Sequence, residues 1–352
     1  MVVFLSFVQA QENNQLESTS TWEINNKKEN KKIKVKGFIR ISDDDRRIAE
    51  LSNDAAINYS TGARKLEVSR DRQGNVQYKI DGELKTAFSP AEESFLQASI
   101  KDLINQGLDA KARARRIYAK NGIEGLLQEV KGLPSDFPKS LYLKSILAMD
   151  VVASETTQLL GYASESLKSD YYKSEILNEV PAKSLQNNQV LNAYLQGAAS
   201  IGSDYYQYTC LNRLINEVPI SKAQQTQAIQ VAQQIKSDYY QAELLKNIFA
   251  KQSPDAEGYH EALKLLTALK SDYYKSEVLS KLAHAELKEA DWKLLIAQLG
   301  AIHSDYYKSE VLQKFIAKAP RTDSIKIELT AAAKGIKSET YYGKTMRKIT
   351  DL

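Results

Sequence analysis

Tyrosine occurs in adjacent pairs at Tyr171–Tyr172, Tyr205–Tyr206, Tyr239–Tyr240, Tyr273–Tyr274 and Tyr306–Tyr307, each inside a version of the nonapeptide SDYYKSEVL. A phenol offers a broad apolar ring and one hydroxyl. A row of them can pack repeats together, or grip an extended chain by stacking and hydrogen bonding. The two positions of each pair differ. The second falls in line with an apolar stripe, as Tyr274 does with Val278 and Leu282 at i, i+4 and i+8. The first lies further round the helix, so Tyr171, Tyr205, Tyr239, Tyr273 and Tyr306 are the candidate binding residues. Inter-repeat packing is the competing role for the same ladder.

The remaining chemistry-bearing types assemble into less. Gly343-Lys344-Thr345 matches the end of a phosphate-binding loop, yet Ser338 stands where the first glycine is required and no hydrophobic strand precedes it. His260, His284 and His303 lie in different repeats without metal-ligand spacing. Ser42-Asp43-Asp44-Asp45 lacks the alternation, glycine and final glutamate of a calcium loop, and reads as a capped helix start. Cys210, the only cysteine, sits beside Leu211 and Leu214 in a helical apolar pattern and reads as a buried, inert thiol. No catalytic residue, metal ligand or cofactor is assigned, and the chain is expected not to be an enzyme.

The elements that place the tyrosines follow from spacing. Ser135, Ser169, Ser203, Ser237, Ser271, Ser304 and Ser338 each open a copy of the motif, at intervals of 34, 34, 34, 34, 33 and 34 residues. Fixed self-similarity at this period signals stacked helical hairpins. Within each copy the Ser hydroxyl is placed to accept from a backbone N–H, and the following Asp favours the positive helix end. The residue two before each Ser is apolar (Leu133, Leu167, Ile201, Ile235, Leu269, Ile302, Ile336) and closes the preceding helix. One hairpin cannot bury its own face, so related copies must stack into a continuous core. The expected fold is therefore mainly α, an α-solenoid of ~34-residue helical hairpins of HEAT or TPR type with a small N-terminal β-rich domain.

Upstream, residues 1–10 read as the remnant of a signal peptide, because Val8-Gln9-Ala10 carries the small residues that signal peptidase accepts. Residues 11–32 read as a flexible linker. Residues 33–88 read as the β-rich domain, with period-two alternation in KIKVKGFIRIS, AAINYS, RKLEVSRD and NVQYKIDG and a glycine turn at DRQGN. Residues 89–131 form a helical connector that begins at Ser89-Pro90 and breaks at Asn121-Gly122, and residues 132–352 form about seven repeats. The net charge of +4 over 352 residues argues against a dedicated nucleic-acid binder. No later segment approaches the ~18 apolar residues of a transmembrane helix.

The segments ISDDDRRIAELS, RKLEVSRDRQGNVQYKIDGE, AKARARRIYAKNGIEGLLQEV and the SDYYKSEVL copies resemble a bacterial family without an established activity. It combines a small N-terminal β-rich domain with C-terminal "SDY" helical repeats. Similar regions follow BlaR-type membrane sensor metallopeptidases in some relatives, but the zinc motif and membrane helices of that enzyme are not found here. The resemblance implies no active site. The expectation is an exported, periplasmic or secreted, protein-binding scaffold that takes a protein or peptide along its solenoid. The alternatives are a sensory or regulatory subunit beside an envelope peptidase, and a glycan or polymer binder that uses the exposed tyrosine ladder.

Overall fold

The computed structural model describes residues 30–149, 151–251, 255–283 and 287–352, with the strand segments Phe4–Leu5 and Trp22–Asn26. The chain divides into two compact units, Met1–Met149 and Asp150–Leu352.

Alternation builds the first unit. Its strands are β1 (Phe4–Leu5), β2 (Trp22–Asn26), β3 (Lys31–Lys36), β4 (Ile39–Ile41), β5 (Ile48–Leu51), β6 (Ala56–Thr61), β7 (Arg64–Arg70), β8 (Val76–Ile80) and β9 (Glu83–Lys85). Seven form one antiparallel sheet in the order β1-β2-β3-β6-β7-β8-β9, and β4 pairs with β5. Along β3, Ile33 and Val35 are buried while Lys32, Lys34 and Lys36 face water, as the period-two pattern requires. Tyr59, Leu66, Val68, Tyr78 and Ile80 continue the buried face. Helix α1 (Pro90–Asn105) lies against this sheet, its Phe95 ring 6.1 Å from that of Tyr59. The Tyr59 hydroxyl donates to Asp102 at 2.8 Å, and burial together with that carboxylate pushes the phenol up to about 12.

Two expectations differ here. Ser42–Asp45 does not start a helix. It is the turn between β4 and β5, with Asp45 at φ 58°. The reason lies in its partners: Arg113 of α2 (Ala110–Gly132) clasps Asp45 through Nε and Nη2 while its Nη1 reaches Glu129 and the hydroxyl of Tyr142. A helical start would point those acids at solvent instead. The sheet also reaches upstream of residue 33, since β2 pairs with β3 from Trp22↔Val35 to Asn26↔Lys31 inside the stretch read as linker. Trp22 and Ile24 alternate with polar neighbours, which is strand patterning that the surrounding Asn and Lys residues obscure. The break at Gly122 is as expected, at φ 64° and ψ −166°, although helix resumes immediately and runs to Gly132. The first copy of the motif forms α3 (Asp136–Leu147) and belongs to this first unit.

The second unit is a helical solenoid. Its hairpins pair α4 (Ala153–Ser166) with α5 (Asp170–Glu179), α6 (Asn188–Ala199) with α7 (Asp204–Glu217), and α8 (Lys222–Ala232) with α9 (Asp238–Lys251). Then α10 (Ala256–Ala268) pairs with α11 (Asp272–Leu282), α12 (Glu289–Ala297) with α13 (Asp305–Lys318), and α14 (Asp323–Ala333) with α15 (Glu339–Thr350). Each SDYY helix packs on the next, from α5 through α7, α9, α11 and α13 to α15. The turn residues Leu167, Ile201, Ile235, Leu269, Ile302 and Ile336 are all buried, which locks each hairpin at its tip. Val278, Leu279, Leu282, Val311, Leu312 and Phe315 show the same stripe filling the core in successive copies. Among the described residues, no helix is long and apolar enough to cross a membrane.

Candidate binding site along the tyrosine pairs

The motif positions its tyrosines through contacts between copies. The expected serine caps are mostly not made: Ser135, Ser169, Ser203, Ser271 and Ser338 show no side-chain cap bond, while Ser304 accepts from Tyr307 N at 3.5 Å. Backbone ψ does not decide this, since Ser135 at 164° makes no cap while Ser304 at 118° does. The Asp of one copy serves the turn of the next instead. Asp170 accepts from Ser203 N, Asp238 from Lys270 N and Ser271 N, Asp272 from His303 N and Ser304 N, and Asp305 from Lys337 N and Ser338 N, all at 2.6–3.1 Å.

Lysine completes the clasp. Lys173, Lys275 and Lys308 send Nζ to the carbonyls of Ser200, Ala301 and Gly335, where the first helix of the following hairpin ends. Carbonyls at a helix end have no intrahelical partner, so a cation there is well placed. Sequence reading assigned Asp to its own helix dipole and missed this forward reach. The signal was present: Asp and Lys recur at one offset in successive copies, as interface residues of a stack must.

Between these clasps the rings interlock. Centroid distances run 5.0 Å for Tyr172–Tyr171, 5.9 Å for Tyr171–Tyr206, 5.1 Å for Tyr206–Tyr205 and 6.1 Å for Tyr205–Tyr240. They continue at 5.1 Å to Tyr239, 6.1 Å to Tyr274, 5.1 Å to Tyr273 and 6.0 Å to Tyr307, then 5.1 Å to Tyr306 and 5.9 Å to Tyr341. The inter-ring angles of 56–65° are the tilted, edge-to-face kind that the aromatic quadrupole favours. Each first-position ring thus bridges the second-position rings of its own copy and the next.

The two positions separate in exposure. Tyr171, Tyr205, Tyr239, Tyr273 and Tyr306 are 45–51% exposed, and among the described residues none of their hydroxyls bonds within the protein. The second-position rings are half-buried rather than fully inside the stripe, because they wedge between the exposed rings and the core. Tyr208 joins the face unforeseen, stacked on Tyr240 at 5.1 Å and 28°. One turn beyond the ladder Glu243 pairs with Lys246 at 2.6 Å and Glu310 faces Lys344 at 3.7 Å. The face carries free phenols beside acids that already have cations.

Other candidate residues fall elsewhere. Gly343, Lys344 and Thr345 lie within α15 with Thr345 buried, so they form no phosphate loop. His260 and His303 are exposed on separate hairpins, and His284 lies outside the described residues. Cys210 is buried, and burial pushes its thiol up to about 12. A shallow concavity at the α7–α8 connection includes Glu217 and Lys251, but Arg213 engages the former and Asn216 O accepts from the latter.

No family model and no curated protein matches this chain. Among solved structures, a chain described under "Computational Design of Self-Assembling Cyclic Protein Homooligomers" is similar at 12% identity over 71% of this chain and 94% of its own, with a TM-score of 0.18. A likeness at that score bears on neither fold nor function.

Proposed function

We propose that the chain is a non-enzymatic, exported interaction module whose second unit holds an extended protein or peptide segment along the tyrosine ladder. The observation that supports this reading is the unbroken run of rings with an exposed tyrosine in five successive copies. Tyrosine gives large, rigid contact area at low entropic cost, with a hydroxyl for direction, and is enriched at protein recognition surfaces. Packing alone would be served by buried rings, and the first-position rings are half in water.

The test is in-cell cross-linking with a photo-reactive residue at Tyr205, Tyr239 or Tyr273, and one in the β7–β8 turn at Gln73 as control. The expected result is one discrete partner captured from ladder positions, lost when neighbouring ladder tyrosines become alanine. Capture from the control site alone, or capture insensitive to those substitutions, overturns the reading. The partner then decides between a scaffold and the sensory subunit of an envelope peptidase. Export rests on the Val8-Gln9-Ala10 pattern. Intact mass of the protein recovered from cells is expected to begin at Gln11, and an uncleaved mass would refute export by that route.

A further inference from the structure

We infer that the segment gripped by the ladder is an uncharged, proline-rich chain in the polyproline II conformation, a deepening that rests on the proposed peptide-binding role. Three features of the face select it. The first is pitch. Packed helices stand about 8–10 Å apart, a step of about that size is therefore expected between successive exposed rings, and a polyproline II helix repeats every three residues at about 9.3 Å. One residue in three therefore meets successive rings in register. A β-strand repeats its side-chain face every two residues, about 6.6 Å, and drifts out of register by the second ring.

The second feature is charge. The charged positions cancel in two copies, Lys168, Asp170, Lys173 and Glu175 in one and Lys270, Asp272, Lys275 and Glu277 in another, and the three other tyrosine-pair copies carry one excess acid each. The aspartates and lysines that reach the next copy are committed to backbone groups, and Glu243 and Glu310 face Lys246 and Lys344. With Lys246 and Lys344 counted, the formal excess falls to the single acid Asp204, too little to select a polycation and of the wrong sign for a polyanion. Charge matching points to a ligand without net charge.

The third feature is the pairing of exposed rings with free hydroxyls. A polyproline II backbone makes no internal hydrogen bonds, so its carbonyls are open acceptors, and proline rings present flat apolar faces without an N–H to satisfy. Aromatic-lined grooves read such chains by these two contacts. At 45–51% exposure, five rings offer about 500 Å² of aromatic surface, the scale of patches that mark interaction sites. Five rings and four intervals, at three residues each, accommodate about 13 residues.

Isothermal titration of the full chain tests this with three probes: the peptide (Pro-Pro-Ala)5, the flexible peptide (Gly-Gly-Ser)5, and a neutral β-linked glucan hexamer. The expected result is binding of the proline peptide alone. That binding should weaken about tenfold or more in the double variant Y205A/Y239A, as for the loss of central anchor residues. Y239F keeps the ring, removes one hydroxyl, and should weaken it by less. Circular dichroism and urea midpoints of each variant confirm the fold, which substitutions at exposed rings are expected to spare. Ladder-dependent binding of the glycine-serine peptide without the proline peptide overturns the polyproline assignment while leaving a peptide-binding module. Ladder-dependent binding of the glucan instead overturns both. Proline-peptide binding that ignores Y205A/Y239A, or no binding of any probe, overturns the polyproline assignment, and in-cell cross-linking then judges the module separately.

Discussion

Asp238 illustrates how one residue type in this chain does work that its own helix does not explain. Its Oδ2 accepts from both Lys270 N and Ser271 N, so D238A leaves two backbone donors of the next hairpin without a protein acceptor. A loss of about 1–3 kcal/mol is expected, read as a lower urea midpoint, with D238N milder because its amide oxygen can still accept. A midpoint unchanged in D238A would mean that water serves the turn equally well. Glu92 carries a second prediction at this scale. Its hydrogen bond from Lys85, and those from the backbone and side chain of Ser89, hold its carboxyl at about 2 against an ordinary 4.5. A depressed folded value gives stability that is present above 4.5 and fades as pH falls through that window. Acid unfolding of the wild type should therefore steepen between about pH 4.5 and 2, and E92Q should flatten that part of the curve. Coincident wild-type and E92Q profiles would refute it.

Among the elements, α2 shows what a single glycine permits. Gly122 adopts φ 64° and ψ −166°, a region essentially closed to other residues, while a Cβ there would meet no neighbouring atom. G122A should therefore cost about 1–3 kcal/mol through backbone strain alone, measurable by urea unfolding, and a neutral result would show that the break can relax. This break was legible, because Asn-Gly inside a helical pattern announces a left-handed residue. The β4–β5 turn was not. Its run of acids looks local, and only the fold reveals Arg113, 68 residues away, as the partner of Asp45. The starts of the motif helices were readable because period and apolar stripe are local signals. The half-buried state of the second tyrosines was hidden, since i+4 spacing gives a face but not its depth.

For the whole molecule, near-identical junctions make one copy removable. Deleting 237–270 leaves Lys236 followed by Ser271-Asp272-Tyr273-Tyr274, the same local sequence as Lys236-Ser237-Asp238-Tyr239-Tyr240. The shortened chain should fold with undiminished helicity per residue by circular dichroism, since stability in such arrays sums over neighbours. Collapse of that signal would show that the copies are not interchangeable. The Asp clasp also runs in one direction only: each carboxylate holds a turn that lies about 33 residues later in the chain. During synthesis every acceptor thus leaves the ribosome before the donors it will hold. A growing array can thus meet each new turn with a docking edge already made, a contact suited to assembly from the N-terminal copy onward.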